Sequence, residues 1–222
     1  MSRSPVDVPS NSTDGDVNDA KFKRYQSGWS QLDELLRNGG SLSGRERNCC
    51  FLNLGSTGAS TFADISNVSG FDLPVDGRAI ALVDWDHDGD VDIWTSNRTA
   101  PRVQFFRNDS PTRHRYVSIR LQGTESNRDA IGARVEVVAE PSVGIVSRTV
   151  TAGDGYLSQS SKWLHFGLGD AERIISVRVR WPGSREFTPV EGVTIGGAFV
   201  VTEGTERAVG SCLLYTSDAA DE

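Results

Sequence analysis

The chain has 222 residues and a formal net charge of -7. A chain of this length buries one or two modest hydrophobic cores. Its basic residues are scattered and not grouped with aromatic ones, so the sequence carries no electrostatic footprint for nucleic-acid binding. It also contains no apolar run long enough to span a bilayer, and we expect no membrane span.

The C-terminal segment 212–222 (CLLYTSDAADE) has the sequence obtained by translating a common transposase sequencing adapter in one frame. We therefore expect a non-native tail on a bacterial metagenomic fragment and exclude it from fold reasoning. Without the three acidic residues of this tail, the 30 acidic residues become 27 and the formal charge becomes -4. The remaining cysteines, Cys49 and Cys50, are adjacent and poorly placed to bridge each other, so we predict no disulfide framework.

The N-terminal region is predicted to contain one helix. Residues 1–20 are polar, and we expect them to be disordered. They lack the basic start and apolar core of a signal peptide. Residues 21–40 place apolar side chains at helical spacing and end in Asn38-Gly39-Gly40, which predicts a short amphipathic helix. The apolar residues of this helix are Trp29, Leu32, Leu35 and Leu36.

From residue 41 onward the sequence is typical of β-structure. Short apolar segments alternate with clusters of Gly, Asn, Asp and Pro, and no second helical period is present. Phe51-Leu52-Asn53 is echoed 55 positions later by Phe106-Arg107-Asn108, a distance close to the length of a four-stranded propeller blade. We assign 41–110 to a blade-like region.

Five aspartates alternate with other residues over 84–92, and this run is the strongest functional signal in the chain. Carboxylates so close together repel one another unless a hard cation gathers them, and oxygen-only ligation suits calcium better than zinc or copper. Gly89 stands at the sixth position, where calcium loops turn sharply. The predicted calcium ligands are the side chains of Asp84, Asp86, Asp88 and Asp92 and the backbone carbonyl of Asp90.

The residues on either side of this run predict a β-hairpin and not an EF-hand. Position 12, where an EF-hand needs a bidentate Glu, is Thr95. Segments 79–83 and 91–95 are short and rich in β-branched or aromatic residues, as strands are. Trp85 and His87 occupy outward positions and are not expected to be ligands. The alternative to a calcium site is a solvated acidic turn without a bound ion.

The stretch that contains the aspartate run resembles a blade of the FG-GAP/VCBS type found in integrin-alpha propellers. The matching segments are Phe62-Ala-Asp-Ile-Ser66, Gly70, the run 84–93 and Phe105-Phe-Arg-Asn-Asp109. In that family the loop between the first two blade strands binds calcium, so the resemblance implies the same of 84–92. Propellers close with about four to eight blades, so a chain with one blade cannot form a ring by itself.

Motifs in the second half of the chain resemble the ASPIC/UnbV domain more strongly still. They occur in the family's order as Asn127-Arg-Asp-Ala-Ile-Gly-Ala-Arg134, Gly153-Asp-Gly-Tyr-Leu-Ser-Gln-Ser160, Leu164-His-Phe-Gly-Leu-Gly169 and Val179-Arg-Trp-Pro-Gly183. The resemblance implies an ASPIC/UnbV-like β domain over 113–206. A blade of the FG-GAP type beside that domain is the arrangement of the family that includes cartilage acidic protein 1.

Strand candidates in this domain lie between glycine-rich turns. They are 116–121, 133–139, 146–150, 162–166, 174–181 and 198–202. In the fifth of them, apolar residues alternate with Arg178 and Arg180, as in a half-buried strand. We predict an all-β fold: a partial β-propeller blade made of FG-GAP-like hairpins, a small antiparallel β-sandwich, and one short N-terminal helix.

The polar residues of these motifs permit an enzymatic alternative. Ser158 or Ser160 with His165 and Asp154 has the composition of a hydrolase triad, but the Gly-x-Ser-x-Gly turn is absent, and a lone strand His is typically structural. Arg134 with Asp154 is equally an internal clamp. The sequence shows no Walker loop, dinucleotide fingerprint, CxxC or zinc-spaced His cluster, so we expect no redox or nucleotide cofactor and no enzyme activity.

The function predicted from the sequence is a calcium-stabilised, non-enzymatic interaction or adhesion module. Its expected partners are calcium and a protein or glycan ligand, and its expected location is extracellular, periplasmic or on the cell surface. The alternative is a carbohydrate-binding or carbohydrate-active accessory protein, because calcium-held β-modules with exposed aromatic rings often bind glycans. The rings available for that role are Trp85, Trp94, Trp163 and Trp181.

Overall fold

A computed structural model describes residues 15–40, 47–56, 60–98, 100–110, 114–140 and 144–211. The chain divides into two compact units, Met1–Glu46 and Arg47–Glu222. Residues 1–14, part of the segment predicted to be disordered, and the predicted non-native tail 212–222 lie outside the described residues. Among the residues that the structure describes, no helix combines the length and the apolar character needed to cross a membrane.

The first unit contains helix α1, Gly15–Arg37. The prediction of an N-terminal helix is confirmed, but α1 begins inside the segment predicted to be disordered and ends before residue 40. Ion pairs join Asp19 to Lys23 at 3.0 Å and Asp33 to Arg37 at 2.8 Å. Pairs spaced four residues apart favour the helix, and the first of them explains why the polar residues before position 21 are helical.

The second unit begins with a hairpin and a three-stranded sheet. Its first elements are β1 (Phe51–Ser56), β2 (Ser60–Asp64), α2 (Ser66–Ser69), β3 (Gly77–Val83), β4 (Asp92–Asn97) and β5 (Val103–Phe106). Strand β1 pairs with β2, while β3, β4 and β5 form an antiparallel meander. The chain passes through α2 and a turn between β2 and β3, and these two strands do not pair. The blade-like region therefore consists of two sheets and not of one four-stranded sheet.

The rest of the second unit is a β-sandwich. Its strands are β6 (Arg115–Gln122), β7 (Arg134–Glu140), β8 (Gly144–Thr149), β9 (Leu164–Gly169), β10 (Arg173–Arg180), β11 (Thr188–Val190), β12 (Ala198–Thr202) and β13 (Val209–Gly210). They form two sheets, ordered β11-β10-β7-β8 and β13-β12-β6-β9. Fully buried side chains from both sheets, among them Val117, Val135 and Phe166, belong to one hydrophobic core. The predicted all-β fold with one N-terminal helix is therefore confirmed.

The sandwich differs from the prediction at one strand pair and at two short strands. Strand β12 runs parallel to β6, so the expectation of a wholly antiparallel sandwich is wrong at this pair. The long connection between β6 and β12 allows parallel pairing, which a tight hairpin does not. Strands β11 and β13 have only three and two residues, too few to show an alternating pattern in the sequence.

The free edge of β3 is covered by the segment 153–161 of the sandwich. Ser160 Oγ accepts a hydrogen bond from the Leu82 N–H at 3.0 Å, and the Leu82 carbonyl accepts one from the Ser161 N–H at 2.8 Å. Asp154 Oδ1 accepts from the Ser160 N–H at 2.9 Å and shapes this segment. The three-stranded sheet and the sandwich are thus joined along β3, which also protects an exposed strand edge.

Candidate metal site

The aspartate run forms the loop between β3 and β4. These strands pair antiparallel up to Val83 and Asp92, so residues 84–91 close a β-hairpin, as predicted. The loop bends at His87 and Gly89, whose φ angles are 61° and 97°. Glycine adopts such a conformation without the steric cost that a Cβ imposes, which accounts for its place in the run.

The loop brings the carboxylates of Asp84, Asp86 and Asp88 together. One oxygen from each lies within 4.8 Å of the others, a spacing at which a single cation can contact all three. Trp85 and His87, which alternate with them, are both exposed and remain outside the cluster, as predicted. Asp84 and Asp86 are half-buried, whereas Asp88 is exposed like Trp85 and His87, so the cluster is open to solvent on the side of Asp88.

Several carboxylate oxygens of the loop are buried without a hydrogen-bond partner among the described atoms. They are Oδ1 of Asp84, Oδ1 of Asp86 and Oδ1 of Asp90. A buried charged oxygen without a partner is costly, and several in one loop are costlier still because they repel one another. A hard divalent cation fits this donor set, since it satisfies oxygen ligands and neutralises their charge. Asp90 does not belong to the cluster of Asp84, Asp86 and Asp88, and the prediction that its backbone carbonyl is a ligand stays a prediction.

The pKa values of two carboxyls in the loop reflect the same burial and repulsion. Burial raises the pKa of Asp84, and the neighbouring Asp88 and Asp86 raise it further against the opposing effect of His87. Burial also raises the pKa of Asp90 to about 7, with added repulsion from the other four aspartates of the run. The protein without a cation therefore disfavours full ionisation of this loop, and a bound cation would reverse that preference.

Asp92 has a different environment from the other aspartates. It is fully buried, its Oδ2 accepts from the Trp85 N–H at 2.9 Å, and its Oδ1 accepts from the Asn108 N–H at 2.8 Å. The sequence predicted it as a further calcium ligand, whereas here its carboxylate ties the start of the loop to the chain after β5. These two hydrogen bonds give Asp92 a structural role, and its role as a calcium ligand stays a prediction.

The loop rests on the sandwich through Tyr116 of β6. A Cβ built at Gly89 would lie 2.0 Å from Tyr116 Cε1, so the ring occupies the space that any side chain at position 89 would need. Burial raises the pKa of Tyr116, followed by the charges of Asp84 and Asp88. No pattern near Tyr116 in the sequence indicated this contact, because it joins segments that are distant along the chain.

The polar motif residues make other contacts than the predicted ones. Arg134 Nε lies 3.2 Å from Glu136 Oε1, and Asp154 instead accepts the N–H of Ser160, so the interpretation of Arg134 and Asp154 as a clamp is wrong. His165 Nδ1 lies 3.4 Å from Ser118 Oγ, and burial lowers the pKa of His165. Asp154 therefore contacts Ser160 only through the backbone N–H of Ser160, while His165 contacts Ser118, and the hydrogen bonds seen among the described residues do not join His165 to Ser158, Ser160 or Asp154.

The tryptophans divide into two groups. Trp85 and Trp94 cluster with Phe105, with ring centroids 5.3 Å, 6.3 Å and 4.7 Å apart, and Trp85 is 58% exposed. Trp181 is buried in the sandwich core, and Trp163 is half-buried beside Asp84 and Tyr116 in a cavity of about 400 Å³. The sheet β3-β4-β5 therefore carries an exposed aromatic patch next to the aspartate loop.

Comparison with known proteins identifies one domain. The family model described as "ASPIC and UnbV" matches residues 123–208, which extend from the end of β6 nearly to β13. This confirms the ASPIC/UnbV resemblance over that part of the chain. No curated protein matches the chain.

Proposed function

We propose that this chain is a calcium-stabilised, non-enzymatic interaction module, in which an FG-GAP-like calcium hairpin is joined to an ASPIC/UnbV domain. The observation that carries the proposal is the set of three buried carboxylate oxygens without partners in the loop 84–91. Oxygen-only donors and the absence of His or Cys from the described cluster favour calcium over zinc or copper.

The residues of the loop explain what calcium would do. Asp84, Asp86 and Asp88 would hold the ion, with Asp90 as a further ligand, and the bound charge would remove the repulsion among them. Gly89 would then remain seated against Tyr116, so that the hairpin and the sandwich present one rigid surface. Calcium binding would thereby contribute to folding free energy, and the effect is structural.

The proposed location follows from the same chemistry. Extracellular calcium modules bind with dissociation constants of about 0.1 to 1 mM, which match the calcium level outside the cell. We therefore place the protein outside the cytoplasm of a bacterium, in the periplasm or on the surface, where it would bind a protein or glycan.

Calcium titration tests the proposal directly. We expect calorimetry to detect one site, and the melting temperature to rise with calcium and fall on addition of EGTA. Asp86→Asn should abolish both responses. Asp170→Asn is the matched control, because the Asp170 side chain is 95% exposed and lies in the sandwich, so its calcium response should be unchanged. A wild-type protein with no binding heat and no EGTA-sensitive melting would end the proposal.

The second candidate function is carbohydrate binding, favoured by the exposed rings of Trp85 and Phe105. Sugar rings stack on such aromatic surfaces, and the patch adjoins the aspartate loop. A glycan array with the calcium-loaded protein would detect it, and Trp85→Ala should remove the signal. Phe62→Ala, which removes another exposed ring outside this cluster, should not.

An acyl-hydrolase screen tests the non-enzymatic part of the proposal. We expect turnover by the wild-type protein to equal that of the Ser160→Ala and His165→Ala variants. Turnover that both substitutions abolish, in variants that keep the wild-type melting temperature, would show instead that the protein is an enzyme.

A further inference from the structure

A cavity lies on the face of the sheet β3-β4-β5 that is opposite to the rings of Trp94 and Phe105. This cavity of about 570 Å³ is lined by Ile80 and Ile93 of this sheet and by the rings of Phe51 and Phe71. Sites for small molecules are concave, mostly apolar, and about 300 to 1,000 Å³ in volume. None of the residues that line this cavity belongs to the loop 84–91, so it is separate from the candidate metal site.

One polar group in the wall of this cavity lacks a partner. Thr95 is only 5% exposed, and its Oγ1 is buried without a hydrogen-bond partner among the described atoms. Buried hydroxyls in folded proteins nearly always have a partner, because an unsatisfied one costs about 1 to 3 kcal/mol. Thr95 lines the cavity, but its Oγ1 atom is closed to solvent, so the ligand's polar contact is sought at the rim.

The rim of the cavity is positively charged. Arg78 and Tyr156 line this cavity and also a neighbouring open one of about 510 Å³, which Arg98 completes. Both arginines are exposed, and the ion pairs seen among the described residues involve neither of them. Asp154, on another part of the wall, already accepts the Ser160 N–H. An anionic group would therefore be attracted to the side formed by the two arginines.

A strained turn borders the same rim. Gly155 and Ser158 form an isolated bridge around Tyr156 and Leu157. Leu157 has a φ of 53° and is 90% exposed, and Tyr156 is 68% exposed. A left-handed conformation at a non-glycine residue costs about 1 to 2 kcal/mol, and such strain is concentrated at functional sites. Tyrosine and arginine, the residue types found at this rim, often dominate the binding energy of protein interfaces.

We propose that this cavity binds a small amphipathic organic acid. The apolar body of the ligand lies between the aromatic and aliphatic walls, and its anionic group lies on Arg78 and Arg98. The proposal goes beyond the calcium-dependent function and does not depend on it, because the two sites share no residue.

The test uses two fluorescent probes that differ in charge. 8-Anilino-1-naphthalenesulfonate carries an anionic group, and N-phenyl-1-naphthylamine has the same rings without it. We expect the full, calcium-treated chain to bind the sulfonate at one site, more tightly than the neutral probe. Replacing both arginines (Arg78→Met with Arg98→Met) should weaken sulfonate binding about tenfold or more and leave neutral-probe binding unchanged. The control, Arg128→Met with Arg185→Met, removes two exposed arginines that line neither cavity and should bind like the wild type.

A chemical readout locates the probe. Cys50 lines the cavity and is half-buried, so the bound sulfonate should slow its reaction with N-ethylmaleimide in a variant with Cys49→Ser and Cys212→Ser. Equal sulfonate affinity in the rim and control variants, or no protection of Cys50, would overturn the proposal. Calcium titration of the same variants separates this result from the calcium proposal, since the arginine substitutions should leave calcium binding intact.

Discussion

Gly89 lies so close to the ring of Tyr116 that a Cβ at position 89 would be 2.0 Å from Tyr116 Cε1. This contact joins the aspartate loop to strand β6 of the sandwich. Gly89 is therefore required twice, for its φ of 97° and for the space that the ring occupies. We expect Gly89→Ala to lower the free energy of unfolding by about 2 to 4 kcal/mol, measured by urea denaturation.

Two further variants separate these causes. Gly183 has a φ of 83° and open space around it, so Gly183→Ala should show the conformational cost alone. In a Tyr116→Ala background, Gly89→Ala should cost no more than Gly183→Ala does in the wild type, because the clash is gone. A wild-type Gly89→Ala cost equal to that of Gly183→Ala would contradict the importance of the ring contact.

The aspartate loop should make the calcium-free protein less stable as the pH rises from about 4 to about 7. The pKa of Asp90 is raised to about 7, and that of Asp84 is also raised, while aspartates in an unfolded chain titrate near pH 4. These two carboxyls therefore bind more protons in the folded state than in the unfolded state in this window, and their contribution favours unfolding as the pH rises. The lowered pKa values of His165 and Glu136 act in the opposite direction, so the effect of the loop is measured as a difference between variants.

Thermal melting in EDTA at several pH values measures this slope. With Asp90→Asn, stability should fall less, or rise more, with pH than in the wild type, because the group with the largest proton uptake is removed. Saturating calcium should have the same effect, since the ion binds the ionised carboxylates. An Asp90→Asn variant whose pH dependence in EDTA equals that of the wild type would contradict this prediction.

The sequence predicted local features of the site better than its long-range contacts. The gathering of Asp84, Asp86 and Asp88 follows from their alternation within one tight loop, and the strand flanks followed from β-branched residues. The hydrogen bonds of Asp92 could not be predicted in this way, because one of its two donors is the N–H of Asn108, which follows a further strand. Tyr116 was missed for the same reason, since packing between distant segments leaves no periodic signal.

The error at Arg134 could have been avoided by local reasoning. Residues two apart on a strand lie on the same face, so Glu136 was a natural partner for Arg134. The structure adds Arg178, which is directly opposite Glu136 on β10. This register could not be read from the sequence, because it depends on which strands pair.

Glu136 should contribute to stability through these two arginines. Its carboxylate is largely buried and bonds Arg178 Nε at 2.8 Å and Arg134 Nε at 3.2 Å. We expect Glu136→Gln to lower the free energy of unfolding at pH 7 by about 1 to 3 kcal/mol in urea denaturation. Glu140→Gln is the control on the same strand, and its exposed pair with Arg173 should contribute less than about 1 kcal/mol. Equal costs would contradict the prediction.

Acid should remove the contribution of Glu136. Burial alone would raise the pKa of Glu136, but the hydrogen bonds and charges of Arg178 and Arg134 lower it overall. Its stabilising effect is therefore present above the unfolded pKa of about 4.3 and is lost as the pH falls through the folded pKa. The difference in stability between wild type and Glu136→Gln should accordingly shrink below about pH 4.

The stability cost of Asp86→Ala should depend on calcium, and that of Asp92→Ala should not. Asp92→Ala leaves the N–H groups of Trp85 and Asn108 without their acceptors and removes a fully buried side chain, so we expect a loss of about 2 to 4 kcal/mol even in EGTA. Asp86→Ala removes one of several repelling carboxylates, and in EGTA it should leave stability unchanged or slightly increased.

In saturating calcium, both substitutions should lower the free energy of unfolding relative to the wild type. Asp86→Ala loses the stabilisation that the bound ion gives the wild type, because a ligand is missing. Asp92→Ala keeps its deficit, which arises from unpaired backbone groups and not from the ion. Urea denaturation of the three proteins in EGTA and in calcium measures both effects. If Asp92→Ala were harmless in EGTA, its carboxylate would act through the metal, and the structural role that we assign to it would be wrong.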